Sequence, residues 1–254
     1  MSEANDCERR RALDAETADP AEALTSSTLL LITRCDDTAR SSATGFLLRH
    51  DDGLKIVTNS HALELVTGLR DGGHNAWIEA SAGDDRRAVQ FHGGWLMMPN
   101  NGKSLGHENA YQYLDFAVLA VEPAQEAYLL DAKRPFTQEN IDGTALAEGE
   151  EVLTLGFRSK DLKVDPLARK PYVDAVATPS QTHVLRVTDR LVTLRSFMEQ
   201  NVGEAEMRGI SGSPVIDHRG HLRAILWGGC DRRNELYCCP IIELLHVLQQ
   251  KGDR

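Results

Sequence analysis

The sequence predicts an all-β chain in two successive halves, closed by a C-terminal helix. Three observations carry this expectation. Short β-branched and apolar runs broken by polar turns recur from Thr28 to Pro240. Sustained helical spacing of apolar residues is confined to the end of the chain, and a mixed stretch over 123–144 separates two sets of strand-like runs.

Residues 1–24 are rich in Ala, Asp, Glu and Arg and lack a sustained apolar face, so they read as a flexible or loosely helical tail. The run Arg9-Arg10-Arg11 within it reads as a solvated charge run or a regulatory cleavage site. The first half, 25–125, carries the runs 28–34, 43–49 and 54–58, with Asp51-Asp52-Gly53 as a hairpin turn between the last two. Further strands are expected at 76–80, 87–91 and 114–121, with a polar loop around 100–111. The second half, 126–254, has strand-like runs at 152–157, 172–177, 183–187, 191–197, 214–216, 222–227 and 236–240. Ile241 to Leu248 then has the spacing of a helix packed on the body.

The chain has 254 residues, 41% of them hydrophobic and 26% charged, enough to build a core. A net charge of -10 disfavours a nucleic-acid partner, which demands a basic face. No apolar run is long enough to span a membrane, and the acidic start Met1-Ser2-Glu3 does not resemble a signal peptide, so a cytoplasmic protein is expected. Five cysteines in no regular framework fit reduced thiols. Cys230, Cys238 and Cys239 cluster near His246 but lack Cys-x-x-Cys spacing, so core cysteines explain them more simply than zinc does.

Gly209-Ile210-Ser211-Gly212-Ser213-Pro214-Val215 has the character of a nucleophile turn. A serine hydroxyl needs a neighbouring base and backbone N–H groups aimed at the oxyanion it creates, and flanking glycines allow such a turn. A surface loop is the ordinary reading of these residues in isolation. His61 follows the run Ile56-Val57-Thr58 and precedes a short helical stretch, a setting that holds a base firmly while leaving it open to a cleft. Asp115 opens an otherwise apolar strand, where a carboxylate needs a partner. Alone, each also suits a structural histidine and an edge aspartate.

The order His61, Asp115, Ser211 joins the three readings. At these residues the chain resembles the trypsin-like, chymotrypsin-fold serine peptidases. Thr44-Gly45-Phe46-Leu47-Leu48 with Ile56-Val57-Thr58-Asn59-Ser60-His61 is similar to the family's histidine block. Leu114-Asp115-Phe116-Ala117-Val118-Leu119 is similar to its aspartate strand, and Gly209 to Val215 to its serine block. The lack of a disulfide framework and the terminal helix bring it closest to bacterial high-temperature-requirement-like members, here without a peptide-binding domain. The resemblance implies two six-stranded antiparallel β-barrels with His61, Asp115 and Ser211 as catalytic triad in the crevice between them. It implies an oxyanion hole from the N–H groups of Gly209 and Ser211, and a polypeptide substrate contacting Ala205, Leu226, Trp227 and Gly228. No metal or organic cofactor is implied. A silent peptide-binding module and an esterase on the same fold are the alternatives.

Departures from the family pattern carry their own expectations. Ile210 replaces the aspartate that pairs with a newly cut N-terminus in zymogen-type members, so activity is expected without N-terminal trimming. Ser213 replaces a glycine and is tolerated if its φ is negative. Ser60 replaces a small apolar residue. Ala205, near the expected pocket base, favours small or medium apolar side chains over Arg or Lys. A peptide-library profile dominated by cuts after Arg or Lys would overturn that preference.

Overall fold

The structure, a computed structural model, describes residues 19–36, 38–81, 88–93, 95–98, 115–157, 177, 179–188, 191–196, 209–230 and 233–252. The first half is a sheet of seven strands: β1 (Thr28–Cys35), β2 (Thr38–His50), β3 (Gly53–Thr58), β4 (Ala76–Ser81), β5 (Ala88–Phe91), β6 (Trp95–Met98) and β7 (Phe116–Ala120). Their order is β5-β4-β1-β2-β3-β7-β6, with every neighbouring pair antiparallel. The sheet is rolled. Its two edges, β5 and β6, are joined by residues 92–94 alone, which reach at most about 14 Å. In a flat seven-stranded sheet those edges would lie about 29 Å apart.

The expected six-stranded first barrel is therefore corrected to a curled seven-stranded sheet. Among the described residues β5 and β6 pair with β4 and β7 and not with each other. The second half meets the expected six-stranded barrel, and the run read at 172–177 lies, but for Ala177, outside the described residues. Strands β8 (Glu151–Thr154), β9 (Ser180–Thr188), β10 (Leu191–Arg195), β11 (Pro214–Asp217), β12 (Leu222–Cys230) and β13 (Glu235–Pro240) form a closed barrel in the order β10-β13-β12-β11-β8-β9.

One helix is firmer than the loosely helical tail expected there, and another was not expected. α1 (Pro20–Ser27) lies partly within the sequence read as tail. Pro20 takes its first turn, the Asp19 side chain accepts from Ala21 N–H at 3.0 Å, and Leu24 is fully buried. Residues 1–18 lie outside the described residues. α3 (Pro123–Ala132) occupies the stretch read as a connection. It starts with Pro123, and the Gln125 side chain accepts the Glu122 N–H at 3.1 Å. Between them, α2 (Ser60–Asp71) extends the short helix expected after His61, and α4 (Ile241–Gly252) is the terminal helix.

Period-two alternation builds the cores. In β2, β3 and β7 one face (Leu47, Ile56, Leu119) packs inside the first sheet. The other face (Phe46, Leu48, Val57, Phe116, Val118) packs against Leu155, Ile216, Leu222 and Ile225 of the second half and Leu244 of α4. Cys238 and Cys239 alternate likewise, one in the second barrel and one in the shared core. Burial pushes both thiols up, as it does for inert core cysteines. The segment between the halves runs beside β2, where Arg49 N–H donates to Phe136 O at 2.7 Å and Phe136 N–H to Leu47 O at 2.9 Å. Apolar burial and backbone pairing thus fix the two halves against each other.

Candidate active site

β3 and β7 pair so that Thr58 faces Ala117, which brings the start of α2 beside Asp115. Three consecutive residues bind that aspartate. The Asn59 amide donates to Asp115 O at 2.5 Å. Ser60 donates its N–H at 2.9 Å and its hydroxyl at 2.5 Å to Asp115 Oδ1, and His61 N–H donates to the same oxygen at 3.3 Å. Asp115 thus caps α2 from another strand, satisfying N–H groups that a helix start leaves free. Its other oxygen, Oδ2, lies 2.6 Å from His61 Nδ1. The Asp115 side chain is 5% exposed and that of His61 45%, so a sheltered carboxylate orients a ring whose far edge is open.

The serine turn is pinned to the first sheet by Thr44, fully buried on β2. Its N–H donates to Ser211 O at 2.8 Å and its hydroxyl to Gly209 O at 2.7 Å, while Thr44 Oγ1 accepts Phe157 N–H at 2.9 Å. Thr58 in turn donates its hydroxyl to Thr44 O at 2.7 Å. Gly209 and Gly212 have φ of 96° and 90°. Ser213 is not among the positive-φ residues, as its replacement of glycine requires. Its hydroxyl donates to Ile210 O at 2.5 Å. Ile210 itself is buried in the second barrel's core.

Among the described residues, Gly209 N–H and Ser211 N–H donate to no protein acceptor, whereas Gly212 N–H donates to Leu226 O and Ser213 N–H to Ile210 O. The Ser211 hydroxyl donates to Trp227 O at 3.3 Å, and no hydrogen bond joins it to His61 among the described residues. Beyond Ile225, β12 has β13 on one side and, among the described residues, no strand on the side of the serine turn. Trp227 and Gly228 are half-buried on that open edge, and Gly229 is exposed. Leu226 is a correction. Its side chain is fully buried in the barrel, its N–H donates to Ser213 O and its carbonyl accepts Gly212 N–H, so nothing of it is left for a substrate. Ala205 lies outside the described residues.

The trypsin-like peptidase domain family matches residues 43–225, well over half of the chain. The chain belongs to this family. No curated protein matches it by sequence. Among solved structures it is similar to the Rv3671c protease of M. tuberculosis in its inactive form, at 17% identity and TM-score 0.56, covering 91% of each chain. It is also similar to Deg5, at 14% identity and TM-score 0.55, covering 94% of this chain and 92% of that one. A Glu endopeptidase in complex with MPD is similar at 16% identity and TM-score 0.57, covering 92% and 95%. At these identities the likeness is one of fold, and that fold is chymotrypsin-like.

In this trypsin-like peptidase domain the charges of the site are coupled. Burial opposes the ionised form of Asp115. The hydrogen bond and charge of His61, the Ser60 hydroxyl and the His61 N–H overcome it and hold the carboxyl below its usual range. Desolvation likewise opposes a charged His61, but the hydrogen bond and charge of Asp115, with the charge of Glu64, hold it above the usual value.

Among the described residues, two groups outside this site have metal-ligand chemistry, Cys35-Asp36-His74 and Asp142-Asp217-His221. The second already encloses a cation: Arg223 Nη1 lies 2.9 Å from Asp217 Oδ2 and 3.7 Å from Asp142 Oδ2. In the first, Asp36 Oδ2 lies 3.4 Å from Cys35 Sγ and 3.3 Å from His74 Nδ1. No helix among the described residues is long and apolar enough to cross a membrane.

Ser60 and Thr44 are the contributors that sequence reasoning passed over. Ser60 stood out only as a departure from an apolar residue. Thr44 stood inside the histidine block with no role.

Proposed function

We propose that this domain is a serine endopeptidase in which Ser211 is the nucleophile, His61 the general base and acid, and Asp115 the group that orients the imidazole. The observation that carries the reading is the 2.6 Å His61–Asp115 contact at a crevice into which Thr44 holds the Ser211 turn. Asp115 accepts a hydrogen bond from Nδ1–H, which keeps that proton on the ring and leaves the Nε2 lone pair to face the serine. The Ser211 hydroxyl turns from Trp227 O towards Nε2, which takes its proton as Oγ attacks the peptide carbonyl carbon. The oxyanion meets the undonated N–H groups of Gly209 and Ser211, each worth about 3 kcal/mol in such a site. His61 then gives its proton to the leaving amine as the C–N bond breaks. Water repeats the sequence on the acyl-enzyme and returns the proton to Ser211.

A polypeptide substrate is supported by the open edge of β12. An extended chain pairs there with the backbone of Trp227, Gly228 and Gly229, where the two glycines leave room for close approach. A cytoplasmic setting is supported by the free thiols of Cys35, Cys238 and Cys239, all buried.

Incubation of protein retaining Met1 with casein and, separately, with a simple ester tests the reading. Casein fragments that Ser211→Ala does not produce are expected. Turnover of the ester alone would transfer the site to an esterase, and turnover of neither would leave a peptide-binding module.

The charge on His61 sets a pH dependence. A base works only when neutral, and the imidazole here ionises above its ordinary 6.5. The acid limb of kcat/KM is therefore expected to have its midpoint above 6.5, with activity lost as pH falls through it. Glu64→Gln removes one of the charges that favour the imidazolium, so it is expected to move the limb to lower pH. A pH profile of both proteins on a peptide ester checks this, and an unmoved limb contradicts it.

A further inference from the structure

We propose that the Ser60 hydroxyl is a positioning group that locks the Asp115 carboxylate so that one chosen oxygen faces His61, an inference that rests on the triad reading above. The two oxygens of Asp115 are used unequally. Among the described residues, Oδ1 takes three donors, the Ser60 N–H, the Ser60 hydroxyl and the His61 N–H, while Oδ2 takes His61 Nδ1 alone. The two backbone N–H groups are supplied by any residues at a helix start. The hydroxyl is the donor that depends on the identity of residue 60, and at 2.5 Å it is the shortest contact on that oxygen.

Its surroundings make the bond count. Asn59 and Ser60 are fully buried and Asp115 is 4% exposed, so no bulk water replaces a lost donor. A serine at a helix start ordinarily turns its hydroxyl to its own helix or to water. This one is aimed across 55 residues of sequence at a carboxylate. With Oδ1 saturated, rotation of the carboxylate costs its strong bonds, and the Asn59 amide on Asp115 O holds the backbone behind it. Oδ2 then stays on Nδ1, and Nε2 stays free to take the serine proton.

Ser60→Ala keeps both backbone donors and deletes only the hydroxyl. The expected result, per active site counted by fluorophosphonate labelling, is a fall in kcat of roughly tenfold to a hundredfold, as for loss of a buried hydrogen bond to a charged group. KM should stay within about twofold, because the hydroxyl touches no substrate. The acid limb should move to lower pH, because a carboxylate free to turn from Nδ1 no longer holds the imidazolium as tightly. Ser60→Thr, which keeps the hydroxyl, should restore both. NMR titration of the His61 ring reads the same shift without turnover. Wild-type kcat and an unmoved His61 titration in Ser60→Ala would overturn the proposal. So would a kcat loss that follows only a lowered Tm, with the titration unmoved. Failure of the wild-type protein to label would count against the triad reading, while the ring titration would still decide whether Ser60 governs the pair.

Discussion

Asp115→Asn is expected to lower kcat by about 10⁴-fold, the cost of holding the imidazole in the wrong tautomer, while the fold is retained. The hydrogen bonds give the reason. Ser60 N–H, Ser60 Oγ and His61 N–H all donate to one oxygen, so an asparagine must keep its carbonyl there. Its NH₂ then falls where Oδ2 stood, 2.6 Å from His61 Nδ1. That NH₂ can only donate, which makes Nδ1 the acceptor and puts the ring proton on Nε2. A base already protonated on the side of Ser211 cannot take its proton. The neutral amide also removes the charge that raises the imidazole's proton affinity, so the acid limb moves down in pH. Kinetics per folded protein, with Tm measured beside them, check the expectation. A loss below about tenfold contradicts it.

Gly212→Ala is expected to lower kcat by at least about 100-fold by displacing the serine turn. The residue has φ of 90°, and a Cβ there would stand 1.9 Å from Thr44 O and 2.5 Å from Thr58 Oγ1. Neither neighbour can retreat cheaply. Thr44 is held by its own bonds to Ser211 O and Gly209 O, and Thr58 donates to Thr44 O. The turn must therefore move away from β2, and a displacement of about 1 Å at a reacting group is enough to cost about 100-fold. Left-handed backbone adds about 1–3 kcal/mol of strain for a residue with a Cβ. Gly220→Ala separates the two effects. Gly220 has φ of 83° but nothing within 4 Å of its Cβ position, so it pays the strain alone and should lower Tm while leaving kcat unchanged. Equal kinetics for the two variants would contradict the steric argument.

Much of the candidate site was legible in sequence because its parts sit at strand ends. Local patterning placed His61 after a strand, Asp115 at the start of one and Ser211 before another, and the structure sets Asp115 just ahead of β7. What stayed hidden was fixed by distant contacts. Ser60 acquires a partner only when β3 and β7 pair, and Thr44 acquires Gly209 O only when the two halves close on one another. Leu226 was misread although it alternates with Ala224, which turns both side chains into the second barrel's core, and the register of β12 against β13 shifts only after it. The helices α1 and α3 were hidden by weak apolar spacing, although Pro20 and Pro123 at their first positions were readable signals. The seventh strand, β6, has only four residues, too few for alternation to stand out.

Covalent labelling by a fluorophosphonate probe, comparing the unmodified protein with Ser211→Ala and His61→Ala, tests the central claim most directly. Stoichiometric labelling of the unmodified protein that vanishes in both variants is the expected result, because the probe needs both the Ser211 oxygen and a base to take its proton. An unmodified protein that does not label, or labelling that persists in Ser211→Ala, would contradict an activated serine at this site.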